Sequence, residues 1–361
     1  MEENVILLAL TILSIDLNSR FIEVEQIYEP VPETEELYFQ LPFSVAFHEN
    51  GDMYVLDTRA CKIHVWDKNG KYLRYFGKTG AGPGEISRPA KIDITGDALW
   101  VFDHSGRRLT KLDLYGKLIT TVTALVRADK FAALNDNLFL TAYKRHSDDA
   151  RTVAAFDLFD ENGRIIKNLK EFDHGGYIIR KGETKEAIKA FGPDMHIQRI
   201  AQDRWIFGFS QNTSLFEVNN QGEIVSELKF EMFTEPPTDT EIAFHKKVNF
   251  PTQNGTRGSF ERWKHLEFAY EYDKAYYTSF TKLPDDKIVF ALTPIGGFGS
   301  AAGFHQATYF VNDWNTRKIV DRGFYEFPQD SIVFFEAGRI IVFEVDEEGE
   351  YIIKRVHIKP S

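Results

Sequence analysis

Two stretches of the chain, 42–77 and 88–122, are copies of one pattern. Asp57, Asp67 and Gly70 in the first recur as Asp103, Asp113 and Gly116, each 46 residues further on. Within the first copy, four short runs are rich in β-branched and aromatic residues: Val45–Phe47, Met53–Leu56, Ile63–Trp66 and Tyr72–Phe76. Turn residues separate them, as expected of consecutive strands. Asn69-Gly70 is a strong hairpin signal, because a tight turn there needs positive φ. The unit is therefore a four-stranded antiparallel sheet, and the chain is built by repeating it. A Gly marker closes a turn again at Gly163, Gly222 and Gly349, with Thr316 in the place expected for a fifth unit.

Radial repetition protects sheet edges by closing a ring. The expected fold is all-β, a six-bladed β-propeller. The 94 residues from Gly222 to Thr316 leave room for a degenerate seventh blade. The alternating run Phe21–Tyr28 is the natural closing strand. In the last unit, Ser331–Phe335, Arg339–Val345 and Tyr351–Ile358 read as strands two to four, with Phe324–Phe327 as strand one. Residues 20–361 are expected to form one domain, with a long excursion near 231–275. A second connection, 173–194, carries a helix-capable piece at Glu183–Ala190, and Tyr143–Ala150 reads as a polar loop.

Composition narrows the function classes. The chain carries 54 acidic and 43 basic residues, a formal net charge of −11. That balance argues against nonspecific nucleic-acid or anionic-membrane binding. The single cysteine, Cys61, excludes an internal disulfide and any thiolate-cluster metal site. The apolar run Val5–Ile15 is too short to span a bilayer, and Glu2 and Glu3 stand where a signal peptide is basic. For residues 1–19, a signal remnant, a docked segment and a peripheral anchor all stay open. The expected location is periplasmic or extracellular, with cytoplasmic as the alternative.

The run Gly51-Asp52-x-Tyr54-Val55-x-Asp57, followed by Lys62-Ile63, Val65-Trp66-Asp67, Asn69-Gly70 and Phe76-Gly77-Lys78, resembles the NHL repeat of bacterial six-bladed β-propellers. The likeness is closest over 42–122. It implies that the connections from strand four to the next strand one, and from strand two to strand three, border one channel mouth where ligands or partners bind. The family includes lyases, lactonase-like hydrolases, sensor modules and protein-binding platforms, so fold does not choose among them.

The lyases of that family hold zinc through histidines at inner-strand starts. Only His196 fits here, and one imidazole is not a zinc site. A lactonase-like site would need Glu, Asn and Asp to converge, and Glu23, Asn135 and Asp203 are the available candidates. Gly77–Gly84 lacks the context of a phosphate loop and reads as a blade-to-blade turn. Asp57 and Asp103 read as structural acceptors for turn N–H groups, alongside the marker glycines Gly70, Gly116, Gly163, Gly222 and Gly349.

With the family topology, the mouth loops gather Arg59, Lys62, His104, Arg107, Arg108, Lys144, Arg145 and His146. This concentration of base on an acidic protein suits an anionic ligand. The reading is a non-catalytic, monomeric binding propeller for a small molecule, glycan or protein. The alternative is a lyase or lactonase-like hydrolase at the same mouth. No cofactor is expected, with a single calcium or zinc in the channel left open.

Overall fold

The computed structural model describes residues 22–32, 39–103, 108–122, 128–146, 152–174, 178–181, 185–189, 191–239, 241–243, 267–269, 273–292, 306–326 and 331–358. The chain begins its regular structure with β1 (Ile22–Ile27). Blade one follows as β2 (Pro42–Phe47), β3 (Met53–Asp57), β4 (Lys62–Trp66) and β5 (Tyr72–Phe76). Blade two is β6 (Pro89–Thr95), β7 (Ala98–Asp103), β8 (Arg108–Asp113) and β9 (Leu118–Val122). Blade three is β10 (Lys130–Ala133), β11 (Leu138–His146), β12 (Thr152–Asp160) and β13 (Ile165–Asp173). After β14 (Ile178–Lys181) and β15 (Lys185–Lys189), blade four is β16 (Met195–Ala201), β17 (Arg204–Phe209), β18 (Ser214–Asn219) and β19 (Ile224–Lys229). Strand β20 (Glu267–Ala269) precedes blade five, which is β21 (Ser279–Leu283), β22 (Lys287–Ala291), β23 (Gln306–Asp313) and β24 (Ile319–Glu326). Blade six takes β25 (Ile332–Glu336), β26 (Arg339–Val345) and β27 (Tyr351–Ile358), with β1 as its fourth strand.

The ring closes through its innermost strands. β2 meets β6, β6 meets β10, β10 meets β16, β16 meets β21, β21 meets β25, and β25 meets β2. At the perimeter, β1 pairs antiparallel with β27, Ile22 opposite Ile358 and Val24 opposite Val356. The two ends of the propeller are thus fastened by hydrogen bonds within one sheet. Trp66 adds a second fastening, since its indole N–H donates to the Glu29 carbonyl at 2.7 Å.

Six buried clusters hold the blades together, one at each interface. Alternation along a strand divides its side chains between two neighbours. In β7, Leu99 and Val101 pack toward blade one, and Trp100 and Phe102 toward blade three. Both faces of each middle strand are therefore buried, which is why ALWVFD and RWIFGF are nearly continuous apolar runs. Burying such a side chain fully is worth about 1.5–3 kcal/mol.

The marker turns share one hydrogen-bond pattern. The Asp67 carboxylate accepts the N–H groups of Asn69 at 2.8 Å and Lys71 at 2.9 Å. Asp113, Asp160, Asn219 and Asp346 repeat it with the residues two and four positions on. In blade five the turn is one residue longer, so the left-handed conformation falls on Arg317, φ 63°, instead of Thr316.

Three further expectations need correction. Residues of the helix-capable piece form β15, which pairs antiparallel with β14 and in parallel with β20, because partner strand edges outweigh local helix propensity. Lys144, Arg145 and His146 extend β11 instead of opening a loop. In blade six, the strands at 332–336, 339–345 and 351–358 are one to three, and β1 supplies the fourth. Residues 324–326 belong to β24 of blade five. The Asp346–Gly349 turn imitates the strand three-four turn of blade one, which is why the pattern misassigns those strands.

Two glycines separate backbone strain from packing. Gly349 has φ +90° and nothing within 4 Å of an added Cβ, whereas at Gly116, φ +89°, that Cβ would lie 2.5 Å from the Phe76 ring. Gly349→Ala is expected to cost about 1–2 kcal/mol from φ alone. Gly116→Ala should lose roughly 1–3 kcal/mol more through overpacking. Urea unfolding of the pair measures this, and equal losses would refute the packing component.

Candidate functional site

In each blade strand one runs away from the mouth and strand two returns to it, so inner-strand starts and strand two-three loops share one end of the channel. The lead-in to strand one is tied to the end of strand two there. Asp57 accepts the N–H groups of Gln40 at 2.5 Å and Ala60 at 2.9 Å, and Asp103 accepts that of Ser87 at 2.9 Å. In blade four Ser210 takes the same place, its hydroxyl accepting the Asp194 N–H at 2.8 Å.

At this mouth Lys130, which starts β10, pairs with Asp194, just before β16, at 2.8 Å. Burial opposes the Asp194 charge, but Lys130, His196 and a backbone N–H outweigh it and bring the carboxyl down to about 2. The His196 ring lies 5.0 Å from that of Tyr277, and its Nε2 is enclosed without a hydrogen-bond partner. Burial lowers the His196 pKa to about 3. Buried His174, on the adjoining edge of blade three, is lowered to about 4 by burial and then by Lys144.

The opposite end of the channel is crossed by side chains. Arg199 of blade four donates to the Ile94 carbonyl of blade two at 2.6 Å, reaching past blade three. Gln202 of blade four meets Glu49 of blade one, on the far side of the ring, at 2.5 Å. Lys91 of blade two pairs with Glu336 of blade six at 3.1 Å. Asp93 lies among these groups and accepts the Ala133 N–H at 2.8 Å. Burial raises its carboxyl pKa, and Arg199 and Lys91 only partly offset the rise. Among the described residues, side chains thus bridge the channel at the end opposite the mouth.

The sequence-expected basic residues spread along the rim over three blades. Arg59 is exposed in the turn after β3. Lys62 starts β4 and lies 4.6 Å over the Tyr75 ring. Arg108 pairs with Asp103 at 3.6 Å and donates to the carbonyls of Ala81 at 3.0 Å and Gly80 at 3.3 Å, clamping the glycine-rich blade-to-blade turn. The Lys144 N–H donates to Asp129 at 3.3 Å, Arg145 pairs with Glu171, and His146 ends β11. His104 and Arg107 lie outside the described residues.

The three carboxylate and amide candidates do not converge. Glu23 is on the outermost strand beside His357, the Asn135 amide donates to the Asn220 carbonyl, and Asp203 sits in an exposed turn. Among the described residues, no group of three or more His, Cys, Asp or Glu side chains could hold a metal. Sequence reading missed Lys91, Asp93, Lys130, Asp194, Arg199 and Glu336. The available signal was charge inside otherwise apolar first strands, as in PAKIDIT.

A family model described as a 6-bladed beta-propeller, DUF5128, matches residues 19–282. The chain belongs to that family. No curated protein matches it in sequence. Among solved structures it is similar to a candidate exported protein of Bacteroides fragilis NCTC 9343, with TM-score 0.60 and 13% identity over 95% of this chain and 97% of that one. It is also similar to a duf4221 family member from Bacteroides vulgatus, with TM-score 0.51 and 14% identity over 95% and 99% of the two chains. At these identities the likeness concerns the fold. Among the described residues, no helix is long and apolar enough to cross a membrane.

The buried histidines give the protein a pH signature. His64, lowered to about 3 by burial and then Lys62, joins His174 and His196 in favouring the neutral ring. A depressed pKa means stability that is full above the unfolded value, about 6.5. It is lost as pH falls toward the folded values. Asp194 acts in the same direction only below its ordinary value of 3.8. Thermal midpoints should therefore fall between pH 7 and 4, and three histidines should show no NMR titration above pH 5. Titration of all histidines near 6.5 would contradict this.

Proposed function

We propose that this propeller is a non-catalytic binding module that takes a ligand or protein partner at the channel mouth. The observation that supports the reading is the bridged far end, where Gln202–Glu49, Arg199–Ile94 and Lys91–Glu336 span the channel, so a ligand is expected to approach from the mouth. Catalysis needs a nucleophile or a positioned acid–base pair with its orienting partner. The described mouth offers instead a closed ion pair, Lys130–Asp194, beside one neutral imidazole.

An anionic ligand is the best fit to the rim on blades one to three. Arg59 is exposed and Lys144 stands half-buried beside His174, on the rim that also carries Arg108 and Arg145. Reversing the charge of Arg59 and Lys144 is expected to weaken the field that steers the anion. A carboxylated glycan or an acidic protein segment has the required charge.

Retention on an immobilised polygalacturonate column tests this at low ionic strength. The full chain should be retained and released by salt, as screening weakens rim charges. An Arg59→Glu, Lys144→Glu double variant should lose most of that retention while keeping its thermal midpoint. Equal retention of the variant, or none of the native chain, would overturn the anionic reading.

A further inference from the structure

The sequence carries four Asn-Gly pairs, beginning at Asn50, Asn69, Asn162 and Asn254. Such a pair is chemically reactive. Glycine has no side chain to shield its amide nitrogen, so that nitrogen can attack the asparagine side-chain carbonyl carbon. A bond from the glycine nitrogen to Cγ forms and the Cγ–Nδ2 bond breaks. The side-chain nitrogen leaves as ammonia, which balances the proton lost by the glycine N–H. Water then opens the succinimide on one side or the other, giving aspartate or isoaspartate. Asn254 lies outside the described residues, and the other three asparagines stand exposed in hairpin turns.

In all three turns the reacting N–H is engaged. Gly51 donates to the His48 carbonyl at 2.9 Å, and Gly70 to Asp67 and Gly163 to Asp160, both at 3.0 Å. Attack therefore requires the turn to open locally, and a turn with fewer further ties opens at less cost. The three differ in those ties. The Asn50 side chain is held at both ends: its Oδ1 accepts the Asp52 N–H at 2.9 Å, and its Nδ2 donates to the Asp52 carboxylate at 2.9 Å. The Asn69 turn is pinned by the chain at and just beyond the end of β1. There the Glu29 N–H donates to the Gly70 carbonyl at 2.7 Å and the Gln26 amide to the Lys68 carbonyl at 3.3 Å, and Gly70 is buried.

The turn at Asn162 has neither restraint. Among the described residues, Asn162 and Gly163 hydrogen-bond to Asp160 alone, and the Asn162 amide reaches that carboxylate only at 3.5 Å, where a hydrogen bond is weak. Its flanking residues Glu161 and Arg164 are exposed. We propose that, of these three sites, Asn162 is the one at which the folded protein deamidates and forms isoaspartate. Either product places a new carboxylate beside Asp160 and Glu161. Isoaspartate also carries the chain through Cβ and so lengthens the turn. Two bonds close that turn, from the Asp160 N–H to the Arg164 carbonyl at 3.0 Å and from the Arg164 N–H to the Asp160 carboxylate at 2.8 Å. The modification thus loosens the β12–β13 hairpin at its Phe159–Ile165 end.

This chemistry does not depend on what the rim binds. Ageing of the full chain in mildly alkaline buffer, followed by peptide mapping with mass spectrometry, tests it. Isoaspartate should accumulate at Asn162 roughly tenfold faster than at Asn50 or Asn69, the ratio given by a difference of about 1.4 kcal/mol in local opening. In concentrated urea, where every turn is open, the three rates should converge. Equal rates at the three asparagines of the native chain, or a preference for Asn162 that persists undiminished in urea, would overturn the proposal.

Discussion

The structure depends on burying both faces of six sheets against each other in a closed ring. A single blade cannot do this, because each middle strand is apolar on both sides. Leu99 and Val101 need blade one, just as Trp100 and Phe102 need blade three. The demand passes from blade to blade until Met53, Val55 and Trp66 of the first meet Ile341 and Phe343 of the last. Closure is therefore a packing requirement, and the hydrogen bonds of β1 with β27 fasten what packing already brings together.

Closure also creates the polar centre. Inner strands leave one backbone edge facing the axis, and unpaired N–H groups there are costly. Neighbouring blades supply some acceptors: the Ile92 N–H donates to Ser44, and that of Ala133 to Asp93. Longer side chains cross between non-adjacent blades and block one end. The candidate site is thus a consequence of the architecture, since the other end keeps its starting residues and loops free to diverge.

Divergence is concentrated between blades three and five. The regular units spend few residues on their connections, whereas described residues within 174–194 and 230–278 build an additional sheet and a buried set of ion pairs at Lys274.

Local chemistry made much of the fold legible. Asp67–Gly70 and its relatives specify turns through short-range hydrogen bonds, and two-sided apolar strands specify burial on both faces, so the four-stranded unit was legible in sequence, whereas the 94 residues from Gly222 to Thr316 left a seventh blade open that the structure replaces with a six-bladed ring. The strand roles in blade six were not legible, because Asp346–Gly349 is locally a good turn wherever it stands in a blade. The bridged far end of the channel and the buried Lys274 ion pairs were equally hidden. Gln202 and Glu49, 153 positions apart, meet only because the ring sets blades one and four face to face. Lys274 meets Glu235 and Glu241 only because the excursion folds back on itself. Sequence by itself determined the repeating unit, since turns and alternation act over a few residues. Tertiary structure decided which charges converge, since that depends on closing the ring.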